Sequence, residues 1–358
     1  MDYSNKKVKI TLGTFDLIKG IAIITIIMGH ALAKYKMRNV QMSFPLNILG
    51  SLIANGTMPM FFILAGYSYK ARPVGKMMKK SFKDLMKPYF IVMVLIVVLY
   101  PACHFILDGW SASIQTAIQY VGTFLLGLPV RGKTLFDLQL LEAPVVWFLL
   151  AMFIATNLMN CILKINNSYL KNLLVVGITI IGYILAKLEF VYFCIPQGMV
   201  GLGFCYAGYL AKKYNFFEKG NKFIWLAIVA ITLIQVIYGN FNLASSLYTL
   251  GYFSYIGAVT SGIIMMYIGL LIQNVSFPLS SIIRKTGMYS YWIMCIHGVE
   301  LAVLPWHNLA RLLKGLFNEG IAFTTELILK VILISLCCIA IKKFTKLKYK
   351  RRLASHAK

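Results

Sequence analysis

Phe15-Asp16-Leu17-Ile18-Lys19-Gly20-Ile21-Ala22-Ile23-Ile24-Thr25-Ile26-Ile27-Met28-Gly29-His30-Ala31-Leu32-Ala33-Lys34-Tyr35 decides the fold. About 20 mostly apolar residues rise roughly 30 Å as an α-helix, the thickness of a bilayer's hydrocarbon core. Lys6, Lys7 and Lys9 precede the run, as in a signal peptide. No small-residue cleavage site follows, and Asp16, Lys19 and His30 interrupt the apolar core, so the run reads as a retained first span.

Nine further runs of this kind follow: Leu46–Tyr69, Pro88–Leu107, Val145–Leu163, Leu173–Lys187, Phe190–Ala211, Phe223–Gly239, Tyr252–Gln273, Met288–His307 and Ile321–Ile341. The fifth and sixth are divided by Lys187, Leu188 and Glu189 alone, which predicts a tight hairpin. The whole chain is 59% hydrophobic and 13% charged, with a mean hydropathy of +0.75. That excludes an ordinary cytosolic enzyme, a disordered chain and a disulfide-stapled secreted domain. The expected fold is all-α: a polytopic membrane helical bundle of about ten transmembrane helices. Residues 1–341 form a single transmembrane domain, and 342–358 a basic tail.

The formal net charge of +25 belongs to the loops, so it reads as membrane orientation and not as a nucleic-acid footprint. One set of alternate loops and both termini hold 26 Lys and Arg, the other set 8, and Lys19 and Lys330 lie inside spans. By the positive-inside rule both termini are cytoplasmic. Between Asp108 and Pro144, Ser111–Leu128 is apolar enough for a helix lying in the interface. Seven cysteines, none in a C-x-x-C pair, read as small hydrophobes, and no metal is expected.

An ionisable side chain within a span costs about 2.5–3.5 kcal/mol on insertion scales, so such residues are candidates for function. Asp16 and Lys19 are three apart and can pair. Lys19 and His30 are eleven apart, roughly 16 Å along a helix and about 20° from one face. A membrane imidazole can serve as a general base toward an alcohol, or can simply hydrogen-bond a neighbouring helix; the residue pattern leaves both readings open. His297 and Glu300 are three apart in the ninth run, where the carboxylate can orient the ring or bond another helix. Glu326 and Lys330 read as a structural pair within the last span. Pro59 kinks the second span, and Gly66 permits close approach of a neighbour. Seven bases from Lys70 to Lys87 form a basic loop able to hold lipid headgroups or the phosphates of a cofactor.

Four ordered segments resemble the integral-membrane acyltransferase family 3: Phe15-Asp16-Leu17-Ile18-Lys19-Gly20 through His30; Met58-Pro59-Met60-Phe61-Phe62 with Gly66-Tyr67; Lys87-Pro88-Tyr89; and Trp147-Phe148-Leu149. The last has the form of the enterobacterial-antigen and fucose acetylase subgroup, and Tyr291 and His297 fit the family's late-span motif. The family's base is more often Arg; here it is Lys19.

The resemblance implies acetyl transfer from cytoplasmic acetyl-CoA to a hydroxyl of an envelope carbohydrate or lipid-linked glycan, in a bacterial-type cytoplasmic membrane. His30, Lys19 and Asp16 are then the catalytic candidates, with His30 as general base. Tyr291, His297, Trp147 and Glu142 are the orienting candidates. Lys79, Lys80, Lys83 and Lys87 are the candidates for the cofactor's phosphates. The rival from the residues alone is a transporter or flippase for a polar solute or lipid-linked sugar, with Asp16, Lys19 and His30 lining the path.

Overall fold

Every apolar run must satisfy its backbone internally once it leaves water, and the chain answers with helices. The structure, a computed structural model, describes residues 12–35 and 44–356, and of 341–356 the backbone alone. Lys6, Lys7, Lys9, Lys36, Arg38 and Lys358, counted in the orientation argument, lie outside the described residues. The chain is 78% helical, so the expected all-α membrane fold holds.

The helices are α1 (Asp16–Leu32), α2 (Phe44–Tyr67), α3 (Val74–Ser81), α4 (Lys87–Asp108), α5 (Trp110–Leu125), α6 (Trp147–Ile162), α7 (Ser168–Lys187), α8 (Ile195–Lys213), α9 (Phe216–Lys219), α10 (Lys222–Tyr238), α11 (Tyr252–Ile272), α12 (Ser280–Met288), α13 (Ser290–Val303), α14 (Trp306–Leu316) and α15 (Glu319–His356). Two small antiparallel ladders, Thr134–Leu135 with Leu138–Gln139 and Phe241–Asn242 with Leu247–Tyr248, lie in loops.

Each of the ten apolar runs contains a helix. Among the described residues, six helices are long and apolar enough to cross a bilayer: those over Gly13–Leu32, Pro45–Tyr67, Val74–Asp108, Ser168–Lys187, Tyr252–Ile272 and Glu319–Ala340. α6, α10 and α13 are apolar but shorter. α8 is rich in glycine and buried along most of its length.

The basic segment expected as a loop is helical from Val74 onward. A π turn over Phe82–Met86 fuses α3 to α4, giving 35 residues from Val74 to Asp108. That is roughly 50 Å of helix, far more than hydrocarbon can cover. The basic first turns therefore extend past the apolar layer.

The hairpin expected between the fifth and sixth runs is wider. Glu189, Phe193 and Cys194 take positive φ, and α8 starts only at Ile195. The reason is tertiary: the Phe193 N–H donates to the Leu126 carbonyl at 2.6 Å, and the Cys194 thiol donates to that of Gly127 at 3.1 Å. α5 forms a helix over nearly the stretch Ser111–Leu128 expected to be helical, starting one residue earlier and ending three residues short. It buries Ser113, Ala117, Tyr120 and Phe124, and Tyr89 of α4 donates to the Phe124 carbonyl at 2.7 Å.

The centre of the bundle is set by close backbone contact. A Cβ on Gly66 of α2 would lie 1.7 Å from the Cys205 carbonyl oxygen of α8, and one on Gly208 of α8 would lie 1.9 Å from that of Ile63. Small residues at both positions let the two helices touch, the usual basis of helix association in lipid. α1 is seated in the same way on α12, where a Cβ on Gly287 would meet the Asp16 carbonyl oxygen at 1.8 Å.

Candidate active site: two cavities meeting at Met58

Lys19, Ile23, Ile26 and His30 form one stripe of α1, spaced four, three and four residues apart. Ile23 and Ile26 line a cavity of about 400 Å³ at the basic end of the bundle. His30 lines a second cavity of about 810 Å³ that opens toward the other end. Met58 of α2, just before the kink at Pro59, lines both. The start of α6 splits in the same way: Trp147 faces the second cavity, while Phe148 and Leu149 face the first.

The first cavity has an apolar floor of Ile26, Met58, Phe61 and Phe148 and a polar mouth of Lys70, Arg72, Lys80 and Asp84. Asn160 of α6 pins the mouth, accepting from the Tyr69 hydroxyl and from the Arg72 backbone N–H. Lys80 pairs with Asp84 one turn on. The Tyr291 hydroxyl donates to the Asp84 carbonyl at 2.6 Å, so α13 is tied to the π turn. Tyr291 thus belongs to this basic cavity and lies two turns from His297.

Of the four lysines expected to hold phosphate, Lys80 lines the cavity and Lys79, Lys83 and Lys87 do not. The lining positions Met77, Lys80, Ser81, Asp84 and Leu85 recur at helical spacing, and Lys79 and Lys83 fall roughly opposite that face. Lys70 and Arg72, from the turn before α3, take their place. They were legible as bases, but not as neighbours of the cavity without knowing where α3 begins.

Asp16 and Lys19 pair at 2.6 Å, as their spacing predicted. The pair sits one turn beyond Ile23, and neither residue lines either of these two cavities.

The second cavity gathers three of the expected residues, His30, Trp147 and Glu142, with Glu142 Oε1 3.6 Å from Arg131 Nε. His30 is exposed to this cavity, not packed in the core. His104 and His307, given no role from sequence, also line it. His104 stacks on Tyr100 with ring centres 4.1 Å apart and reaches Asp108 at 2.8 Å through Nδ1.

Behind His30 lies a buried polar cluster from three spans. The His30 and His297 rings meet edge to face, with centroids 5.4 Å apart. His297 Nδ1 is 2.5 Å from Glu300 Oε1, so the spacing of three does bring them together. Lys330 Nζ is 2.8 Å from Glu300 Oε2 and 3.9 Å from Glu326. The closer partner of Lys330 is thus on another helix, beyond the pair read within α15. Glu326 in turn is 2.8 Å from Lys34 and accepts from the Tyr35 hydroxyl at 2.8 Å. Lys34, counted as a loop base, is largely buried.

A family model described as an acyltransferase domain matches residues 12–343, nearly the whole chain. The chain belongs to the membrane acyltransferase family 3. Comparison with curated proteins and with solved structures gives no match. Membership makes this an integral membrane acyltransferase, and an acyltransferase must bring a donor, an acceptor and a base to one point. In this family 3 chain the two cavities converge beside Met58, with His30 on the rim of the larger.

Proposed function

We propose that this membrane acyltransferase moves an acetyl group from cytoplasmic acetyl-CoA to a hydroxyl of an envelope carbohydrate or lipid-linked glycan. It sits in a bacterial-type cytoplasmic membrane as ten spans with both termini inside. The observation that carries the reading is the pair of cavities entered from opposite ends and sharing Met58. The coenzyme's phosphates rest against Lys70, Arg72 and Lys80, and its uncharged arm follows the apolar floor toward Met58. Lys19, neutralised by Asp16, ends the stripe of α1 one turn beyond the donor cavity. The acceptor enters the second cavity, where Trp147 offers a sugar-stacking face and Glu142 a hydrogen-bond acceptor.

His30 takes the proton of the acceptor hydroxyl, and the oxygen attacks the thioester carbonyl. The C–S bond then breaks, the coenzyme leaves as thiolate, and the proton returns to sulfur. The products are an O-acetyl ester and free CoA.

Two measurements test this. The double change Arg72→Gln and Lys80→Gln removes two charge-assisted contacts, each roughly 1.5–3 kcal/mol. The KM for acetyl-CoA should rise at least about tenfold, since each 1.4 kcal/mol is a factor of ten. The KM for the glycan should stay put, and Lys83→Gln with Lys87→Gln should leave both constants near wild type. An unchanged donor KM in the first variant would remove the coenzyme from this cavity.

Topology is checked by thiol labelling in a background with Cys103 and Cys161, both exposed, changed to Ser. Phe136→Cys at the tip of the long loop, 93% exposed, should react from outside. Lys219→Cys, after α8, should react only from the cytoplasm. Labelling of both from one side contradicts the proposed orientation.

A further inference from the structure

We infer that His297 and Glu300, locked in place by Lys330, form a proton relay behind His30. The inference rests on His30 being the base, and it adds residues that the acyl-transfer reading does not need. Four observations carry it. His297 is fully buried and its Nε2 has no hydrogen-bond partner. An orphaned ring nitrogen in a membrane interior is costly unless its lone pair has a use. The ring it meets edge to face is that of His30. Its other nitrogen, Nδ1, faces a carboxylate at 2.5 Å, which requires Nδ1 to carry the hydrogen and leaves Nε2 as the acceptor.

The remaining parts hold that tautomer in place. Glu300 has its second oxygen on Lys330 at 2.8 Å, so Oε1 stays turned to His297. Lys330 is also held over the Trp306 ring, 3.7 Å from its centre, and the Trp306 indole N–H donates to the Glu300 carbonyl at 2.9 Å. Glu326 and Lys34 complete the set, so that two lysines and two glutamates balance in charge.

The step balances as follows. The acceptor O–H bond breaks and its proton bonds to one nitrogen of His30. A turn of the His30 ring, whose edge-to-face contact leaves His297 Nε2 unbonded, brings the other His30 nitrogen to that atom, and its proton passes to Nε2. His297 then carries both protons as an imidazolium against the Glu300 carboxylate. When the C–S bond of the thioester breaks, the same transfers run backward and the proton ends on the coenzyme's sulfur. His30 alone touches substrate; His297, Glu300 and Lys330 are positioning residues.

The experiment compares wild type, His30→Ala, His297→Asn, Glu300→Gln and Glu300→Asp in detergent, with acetyl-CoA and the glycan each varied up to saturation. Rates are read in H₂O, D₂O and mixtures. For wild type the rate should fall along a curve with deuterium fraction, as more than one proton moves. His297→Asn and Glu300→Gln should lower kcat about a hundredfold with both KM values within twofold, and the curve should become a straight line. Glu300→Asp should recover part of kcat and the curvature.

If His297→Asn fails to purify, the two Glu300 variants decide the matter. Near-wild-type kcat in His297→Asn or Glu300→Gln, or an unaltered curve at reduced kcat, would overturn the relay and leave the cluster a helix clamp. Transfer retained by His30→Ala would instead overturn the underlying reading, so the two failures are distinct.

Discussion

His30→Ala should abolish acetyl transfer while the protein inserts, purifies and melts like wild type. The size of the loss follows from its role. A positioned general base contributes about 10²–10⁴ in rate, and here no second side chain on the stripe of α1 can replace it, since Ile26 and Ile23 are hydrocarbon and Lys19, three turns away, is paired with Asp16. The normal stability follows from where the side chain lies. The ring faces a cavity, its edge-to-face contact with His297 is a small part of the packing of α1, and the bond from Lys34 Nζ to residue 30 uses the backbone carbonyl, at 3.2 Å, which alanine keeps. The measurement is initial CoA release at saturating donor and acceptor. A rate within threefold of wild type would show that the base lies elsewhere.

Gly66→Val should leave no folded protein. Its Cβ would fall 1.7 Å from the Cys205 carbonyl oxygen and 2.5 Å from the carbonyl carbon. Both are backbone atoms of a buried helix, so no rotamer change can yield. α2 and α8 would have to separate, taking with them the packing of Phe62 on Phe204 and the seat of Met58. Losses beyond about 4–5 kcal/mol arise from such overpacking and are exceptional among single changes. Gly177→Ala in α7, where a Cβ meets nothing within 4 Å, is the control. It should match or slightly exceed wild type, because alanine is the better helix former. Detergent-solubilised yield and melting temperature read both. A monodisperse Gly66→Val protein with a wild-type melting point would refute the contact.

Helix positions were legible because hydrophobic length is written locally, run by run. The helical start of α3 was not, since Val74–Ser81 is basic and resembles a loop; it is a helix only because it continues α4 through the π turn. The same error propagated to the choice of lysines, which requires a helical face and therefore a register. His30 and the His297–Glu300 pair were legible because each stands out within its own span. The link from Glu300 to Lys330 was not. Glu326, four residues before Lys330, offered an obvious local partner, and nothing in the order of residues reveals that α13 and α15 lie side by side. Lys34 was misjudged for a related reason: a lysine at a span end ordinarily reaches water, and its pairing with Glu326 depends on a contact nearly 300 residues away.

The shared wall at Met58 also bears on what the membrane must not lose. The two cavities share the Met58 side chain as a common wall. In the proposed arrangement Ile26, Phe61 and Phe148 beside that wall offer a hydrated ion no replacement for its water, and stripping a charge bare is prohibitively expensive. An acetyl thioester has no charge to desolvate. On the proposed reading, a neutral two-carbon fragment is handed across a wall that rejects ions by polarity.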